Sequence, residues 1–144
     1  MITLTILNNL STAVNYNATN FGAMEIFVPT NSNLNLTLDN EESIPHNLLI
    51  VQNKTDAPSN SNVGNDGSVI FAIAATTTNY QFVGKTTGNY SGSYDNITAG
   101  TYWLACGTNQ HAADGLWVNL FVSNSVSTPY VVISNPQLRP SSFG

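Results

Sequence analysis

The chain has 144 residues, enough for one domain with its own hydrophobic core. Apolar residues make up 42%, an ordinary share, but charged residues only 8%, against roughly 25% in an average domain. Three cations, Lys54, Lys85 and Arg139, against eight acids leave a net charge of -5, which argues against nucleic acid as a partner and against docking on anionic lipid.

Along the chain, the pattern is one of strands and turns. Residues 2–7 alternate in polarity, and 24–28 are strand-like up to Pro29. Residues 33–39 alternate strictly, with Leu34, Leu36 and Leu38 on one face, the mark of a half-buried strand. The apolar runs at 47–51 and 68–73 suit core strands. A further strand runs from Gly100 into Cys106, another covers 116–122, and 130–134 is the last candidate. Two polar stretches read as turns and loops: 53–67, a long surface excursion with Pro58, Gly64 and Gly67, and 86–95, rich in Gly, Ser and Tyr. No amphipathic helix and no internal repeat are evident. About eight short strands separated by turns predict an all-β, single-domain Greek-key sandwich. The domain is expected to span 1–134, with 135–144, carrying Pro136 and Pro140, as a tail.

One cysteine permits no intramolecular disulfide. No apolar run reaches the ~18 residues of a membrane span, and no charged n-region and apolar h-region mark a leader. The scarcity of charge fits an acidic medium. At about pH 2–3 most carboxylates are protonated, and a chain with so few cations then scarcely repels itself. An ordinary Asn/Ser/Thr-rich exported domain fits the same composition.

The chemistry-bearing residues are few. Two histidines, no GxSxG, no phosphate-binding Gly-rich loop and no HExxH leave little room for catalytic schemes. The rare residue types are concentrated instead. Cys106 ends a strand, and His111 lies five residues on, in the loop to the next strand. His46 follows Pro45 at the start of an apolar strand. Two strands and one loop can bring one thiolate and two imidazoles to a point. A His₂Cys set favours copper in a roughly trigonal site; zinc accepts the same ligands but normally wants a fourth, or a water. A lone Cys is also often just a small buried hydrophobe.

The segment Gly100-Thr101-Tyr102-Trp103-Leu104-Ala105-Cys106-Gly107, then His111, then Gly115-Leu116-Trp117, resembles the copper loop of the cupredoxins. Pro45-His46-Asn47 resembles their upstream ligand segment. The spacing and the flanking motifs are most similar to the sulfocyanins, the archaeal blue copper proteins, and the loop spacing is also rusticyanin-like. The resemblance covers roughly Ile26 to Val122. It implies a cupredoxin fold, one copper ion, and His46, Cys106 and His111 as its ligands. Asn47 is implied as the cross-link between the two ligand segments, and the carbonyl of Pro45 as a distant axial group. His111 is implied as the partly exposed ligand through which electrons leave. Leu48, Trp103, Leu116 and Trp117 are the apolar residues expected to pack the site.

One position departs from the family pattern. Where a methionine is called for, five residues after the second His, the chain has Leu116. Leucine offers no lone pair, so the expectation is a three-coordinate site capped by Leu116, with a raised potential.

The function implied is one-electron transfer between a donor and a membrane-bound respiratory oxidase, at the cell surface or outside it. The chain is expected to be a soluble monomer, and the resemblance implies a membrane-anchored parent. Partners should dock around His111, over Ala112 and Ala113. Multicopper enzymes need more histidines, and a binuclear copper centre needs two cysteines, so no enzyme is expected. The competing reading is a surface or adhesion module, or a simple copper-binding module, on the same sandwich.

Overall fold

The computed structural model describes residues 1–8 and 16–134. The tail expected at 135–144 lies outside the described residues. Nine strands are present among them: β1 (Ile2–Asn8), β2 (Met24–Pro29), β3 (Leu34–Asn40), β4 (Leu48–Asn53), β5 (Gly67–Ile73), β6 (Gly88–Tyr94), β7 (Gly100–Ala105), β8 (Trp117–Ser123) and β9 (Tyr130–Ile133). They form a three-stranded sheet, β1-β3-β6, and a six-stranded sheet, β5-β4-β7-β8-β2-β9. The all-β sandwich read from the sequence is what the chain forms. The single helical turn among the described residues, a 3-10 turn at Val63–Asn65, sits in the long excursion. No helix among the described residues is long and apolar enough to cross a membrane.

Alternation in the small sheet decides what faces inward. Leu34, Leu36 and Leu38 of β3 are fully buried, and parallel pairing with β1 puts Ile2, Leu4 and Ile6 beside them. Each fully buried leucine contributes about 1.5–3 kcal/mol relative to exposure, so this one stripe anchors the sheet. On its other edge β3 pairs antiparallel with β6.

That pairing corrects the reading of 86–95 as a loop. The segment holds a seven-residue strand. Asn89, Ser91 and Ser93 are exposed, while Tyr90, Gly92 and Tyr94 turn inward. Its inward face has two tyrosines and a glycine, so it shows almost no hydrophobic alternation. Gly92 suits the close approach: a Cβ there would lie 3.0 Å from the Phe71 ring, which would have to shift to make room.

The large sheet is covered on both faces near its centre. Leu48 and Ile50 of β4, Tyr102 and Leu104 of β7, and Val118 and Leu120 of β8 face the small sheet. Leu49, Val51, Trp103, Ala105 and Trp117 face outward into a second apolar cluster, roofed by Val63 and Tyr80. This explains the unbroken burial of residues 48–51: a strand buried on both faces reads as a continuous apolar run. The excursion that supplies Val63 is pinned by Asp66, whose carboxylate accepts from the Ser59 and Asn60 N–H groups at 2.9 Å each and from Asn60 Nδ2 at 2.6 Å.

Candidate metal centre

Cys106 lies immediately beyond β7, and its N–H donates to the carbonyl of Leu116 at 3.1 Å, which closes the base of the loop. His46 precedes β4 and is locked to Lys85 by reciprocal backbone bonds of 3.0 and 2.9 Å. His111 sits on the 107–115 loop, its N–H donating to Thr108 O and its carbonyl accepting from Leu116 N–H. His46, 60 residues from Cys106 in sequence, converges with Cys106 and His111. Their donor atoms lie within 4.8 Å of one another. Cys106 Sγ is 3.6 Å from His46 Nδ1 and 3.5 Å from His111 Nδ1, and the ring centroids are 5.0 Å apart.

These spacings fit one small ion. Ligand bonds of about 2.0 Å to nitrogen and 2.3 Å to sulfur, at angles between tetrahedral and trigonal, place N and S roughly 3.5–3.7 Å apart. Cys106 is fully buried, His46 nearly so, and His111 only partly.

Asn47 ties the two ligand segments together. Its Oδ1 accepts the Gly107 N–H at 2.6 Å, and its Nδ2 donates to the carbonyls of Tyr80 and Val83 at 2.9 and 2.8 Å. The carbonyl of Asn47 accepts from the buried Tyr16 hydroxyl at 2.7 Å. The loop is also held from outside. Asn109 N–H donates to Gln81 O, and Gln110 N–H donates to Ser61 O in the long excursion. Gln110 adopts a left-handed φ of 73° and directs its amide outward to Asp114. Thr108 places its hydroxyl 3.2 Å from Cys106 Sγ and in hydrogen-bond contact with His111 Nδ1.

Burial sets the protonation preferences. It pushes the Cys106 thiol up, although hydrogen bonds from Thr108, the Asn47 region and Tyr16 oppose this. It pushes both imidazoles down from their ordinary value. For His46 the Glu42 carboxylate works against burial; for His111 the neighbouring His46 adds to it. Neutral imidazoles keep a free lone pair, the form a metal requires, and the thiol must shed its proton on binding.

Leu116 is fully buried in the same cluster as Cys106, and its backbone bonds to both Cys106 and His111. Met24, in contrast, holds its sulfur 3.7 Å from Asn17 Nδ2, and Met1 is exposed. Leu48 packs in the inner cluster with Cys106. Trp103 and Trp117 do not: they lie 5.7 Å apart in the outer cluster, on the other face of the sheet. The reason is parity, since Trp103 is an odd number of residues from Cys106 along its strand and so points the other way.

His111 opens into a shallow hollow of about 260 Å³ lined by Ile44, Pro45, Phe82 and Thr108, among others. Phe82 is 80% exposed and Ile44 51%. The expected surface at Ala112 is different from this one: Ala112 is 2% exposed and belongs to the outer core, and Ala113 is only partly accessible. The apolar rim comes instead from the 44–45 and 81–84 segments.

Sequence reasoning missed Glu42, Tyr16, Thr108 and Phe82. Glu42 is four residues before His46, but the segment is not helical, so that spacing carries no signal. Nothing local marks Tyr16 or Phe82; Thr108, inside the Cys–His loop, was at least within reach of inspection.

The comparisons with known proteins give the family and the fold. A family model described as the sulfocyanin (SoxE) domain matches residues 1–133. A sulfocyanin from Sulfolobus acidocaldarius is 40% identical over 134 residues, covering 90% of this chain and 67% of that protein. Among solved structures, reduced auracyanin from Roseiflexus castenholzii superposes with a TM-score of 0.60 at 18% identity, covering 85% of this chain and 98% of its own. Auracyanin A from Chloroflexus aurantiacus, described as a "blue" copper protein, gives 0.57 at 15% identity, with coverage of 85% and 98%. Reduced rusticyanin gives 0.58 at 14% identity, with coverage of 84% and 79%. At these identities the solved structures speak to the fold.

Proposed function

The chain belongs to the sulfocyanin family of copper-binding, electron-transferring cupredoxins, and on that premise we propose that His46, Cys106 and His111 hold a single copper ion, with Leu116 capping the axial position. The observation that carries the assignment is the convergence of one thiol and two imidazole Nδ1 atoms at the spacing of one ion. Copper in such a set supplies a one-electron couple, Cu(I)/Cu(II).

The residues around it serve to keep the donors still. β4 and β7 are hydrogen-bonded neighbours, and Asn47 bridges their ends, so His46 and Cys106 keep their separation when the charge changes. The inner core excludes water from Cys106. Leu116 brings no donor atom, so nothing on its side adds electron density that would favour Cu(II). The couple should therefore be more oxidising than in a Met-capped relative. The carbonyl of Pro45 is the remaining candidate for a distant axial group.

Electrons pass through the His111 edge. The apolar rim of Ile44 and Phe82 suits brief docking of redox partners, whose contacts are small and transient. We assign the donor and a membrane-bound respiratory oxidase as those partners, the outer face of the membrane as the location, and a monomer as the working form. Residues 1–134 make up the copper domain, and 135–144 its tail. With two histidines and one cysteine the chain supports one mononuclear site and no further copper centre, and we assign it no enzymatic activity.

The test is spectroscopic. Copper(II) added to the metal-free protein should give an intense visible thiolate band and a type 1 EPR spectrum, both bleached by ascorbate and absent in C106S. A colourless protein, or one that takes only zinc, would favour the surface-module reading instead.

A further inference from the structure

His46 has a second partner. Its Nε2 lies 2.7 Å from Glu42 Oε1, within hydrogen-bond distance. Glu42 is 7% exposed and His46 3%. A buried carboxylate is costly to keep out of water unless its hydrogen bonds are good. Among the described residues no Lys or Arg pairs with it.

The backbone of Glu42 is fixed at both polar groups. Its N–H donates to Asn40 Oδ1 at 2.9 Å, and its carbonyl accepts from the Thr87 hydroxyl at 2.8 Å. Asn40 in turn donates through Nδ2 to the carbonyls of Ile44 and Lys85, at 3.0 and 2.9 Å. Lys85 is the residue whose backbone holds His46. The turn carrying Glu42 and the bridge carrying His46 are therefore one rigid assembly, with the carboxylate aimed at the far nitrogen of the ring.

We propose that Glu42 is the positioning residue for His46, holding the imidazole as the Nε2–H tautomer with Nδ1 turned toward Cys106. An ionised carboxylate can only accept, so the proton must be on Nε2. Nδ1 is then left with its lone pair, and the strong charge-assisted bond stops the ring from rotating. The carboxylate also raises the basicity of Nδ1 and places negative charge one ring away from the metal position, which favours the more positive oxidation state. In that respect Glu42 acts against Leu116: one lowers the potential and the other raises it. The inference rests on the copper reading only for its consequences at the metal; the tautomer belongs to the metal-free chain.

The test uses the full chain with Glu42→Gln and Glu42→Leu. ¹⁵N shifts of the His46 ring in the metal-free protein should show the Nε2–H tautomer in the parent and in E42Q, whose amide oxygen still accepts the bond. In E42L the tautomer should become mixed, and copper affinity should fall by about 10–100-fold, the range for losing such a partner. E42Q should keep affinity within a few-fold of the parent but show a raised potential, because the charge is gone. If E42L does not fold, the E42Q tautomer and potential decide alone. An Nδ1–H tautomer in the parent, an unchanged tautomer and affinity in E42L, or an unshifted potential in E42Q would each overturn the proposal. A parent that shows the Nε2–H tautomer but takes up no copper would sink the copper reading and leave the positioning of the ring intact.

Discussion

Replacing Asn47 with alanine should be among the most damaging single changes near the site. The side chain is fully buried and makes three hydrogen bonds, all to backbone groups on other segments. Truncation leaves the Gly107 N–H and the Tyr80 and Val83 carbonyls without that partner. A buried group left unsatisfied costs about 1–3 kcal/mol, with the N–H at the upper end because it has only one bond to make. The three together amount to roughly 3–5 kcal/mol, a large part of the ~5–15 kcal/mol that holds a typical domain together. Urea unfolding of the metal-free protein, followed by fluorescence of Trp103 and Trp117 beneath Tyr80, should show a lower midpoint at unchanged slope. Hydrogen exchange at Gly107 should rise as the two ligand segments part. A loss below about 1 kcal/mol, with Gly107 still protected, would mean that the strands alone hold the segments in register and that the amide is not the tie.

Three further outcomes are expected. Leu116→Met should lower the reduction potential of the copper-loaded protein, read by redox titration; no change or a rise would place residue 116 away from the axial position. Phe82→Glu should slow electron exchange with redox partners several-fold and leave the visible spectrum untouched, since the ring is exposed on the rim and supplies no donor atom; an altered spectrum would contradict that. The third concerns pH. Burial holds His46 and His111 below their ordinary value of 6.5, so below that pH the unfolded chain binds more protons than the folded one. Metal-free stability should therefore decline as pH falls from about 6.5 through the folded values. Bound copper competes with those protons, so the loaded protein should hold its melting temperature further into acid. Melting curves of both forms between neutral pH and about pH 4 check this, and parallel curves would refute it.

The corrections share a cause. β6 was hidden because its inward residues, Tyr90, Gly92 and Tyr94, do not stand out from Ser and Asn around them. It is a strand because β3 offers a free edge and Gly92 lets Phe71 and Ile73 close over it. The tryptophans were expected around the site because they flank Cys106 in sequence. Strand parity sends them to the opposite face, where Val63 and Tyr80 cover them. The 53–67 excursion read as surface, and much of it is, yet it contributes Val63 to that outer core and Ser61 to the support of the loop.

Some things followed from the amino-acid sequence by itself. Strict alternation marked the leucine stripe of β3, and the turn-separated runs marked a β-sandwich. The scarcity of Cys and His left one candidate donor set, His46, Cys106 and His111, whose donor atoms the structure brings within 4.8 Å of one another. These are local properties: period-two burial and residue chemistry are written within a few positions of the chain. Only the tertiary structure decided which remote groups stand behind that set. Glu42 behind His46, Tyr16 beneath Asn47, and Phe82 beside His111 arrive through turns and bridges between segments that no periodicity relates. A hydrogen bond such as that of Tyr16 to Asn47, 31 residues away, depends on how two sheets pack, and that is settled by the whole core at once.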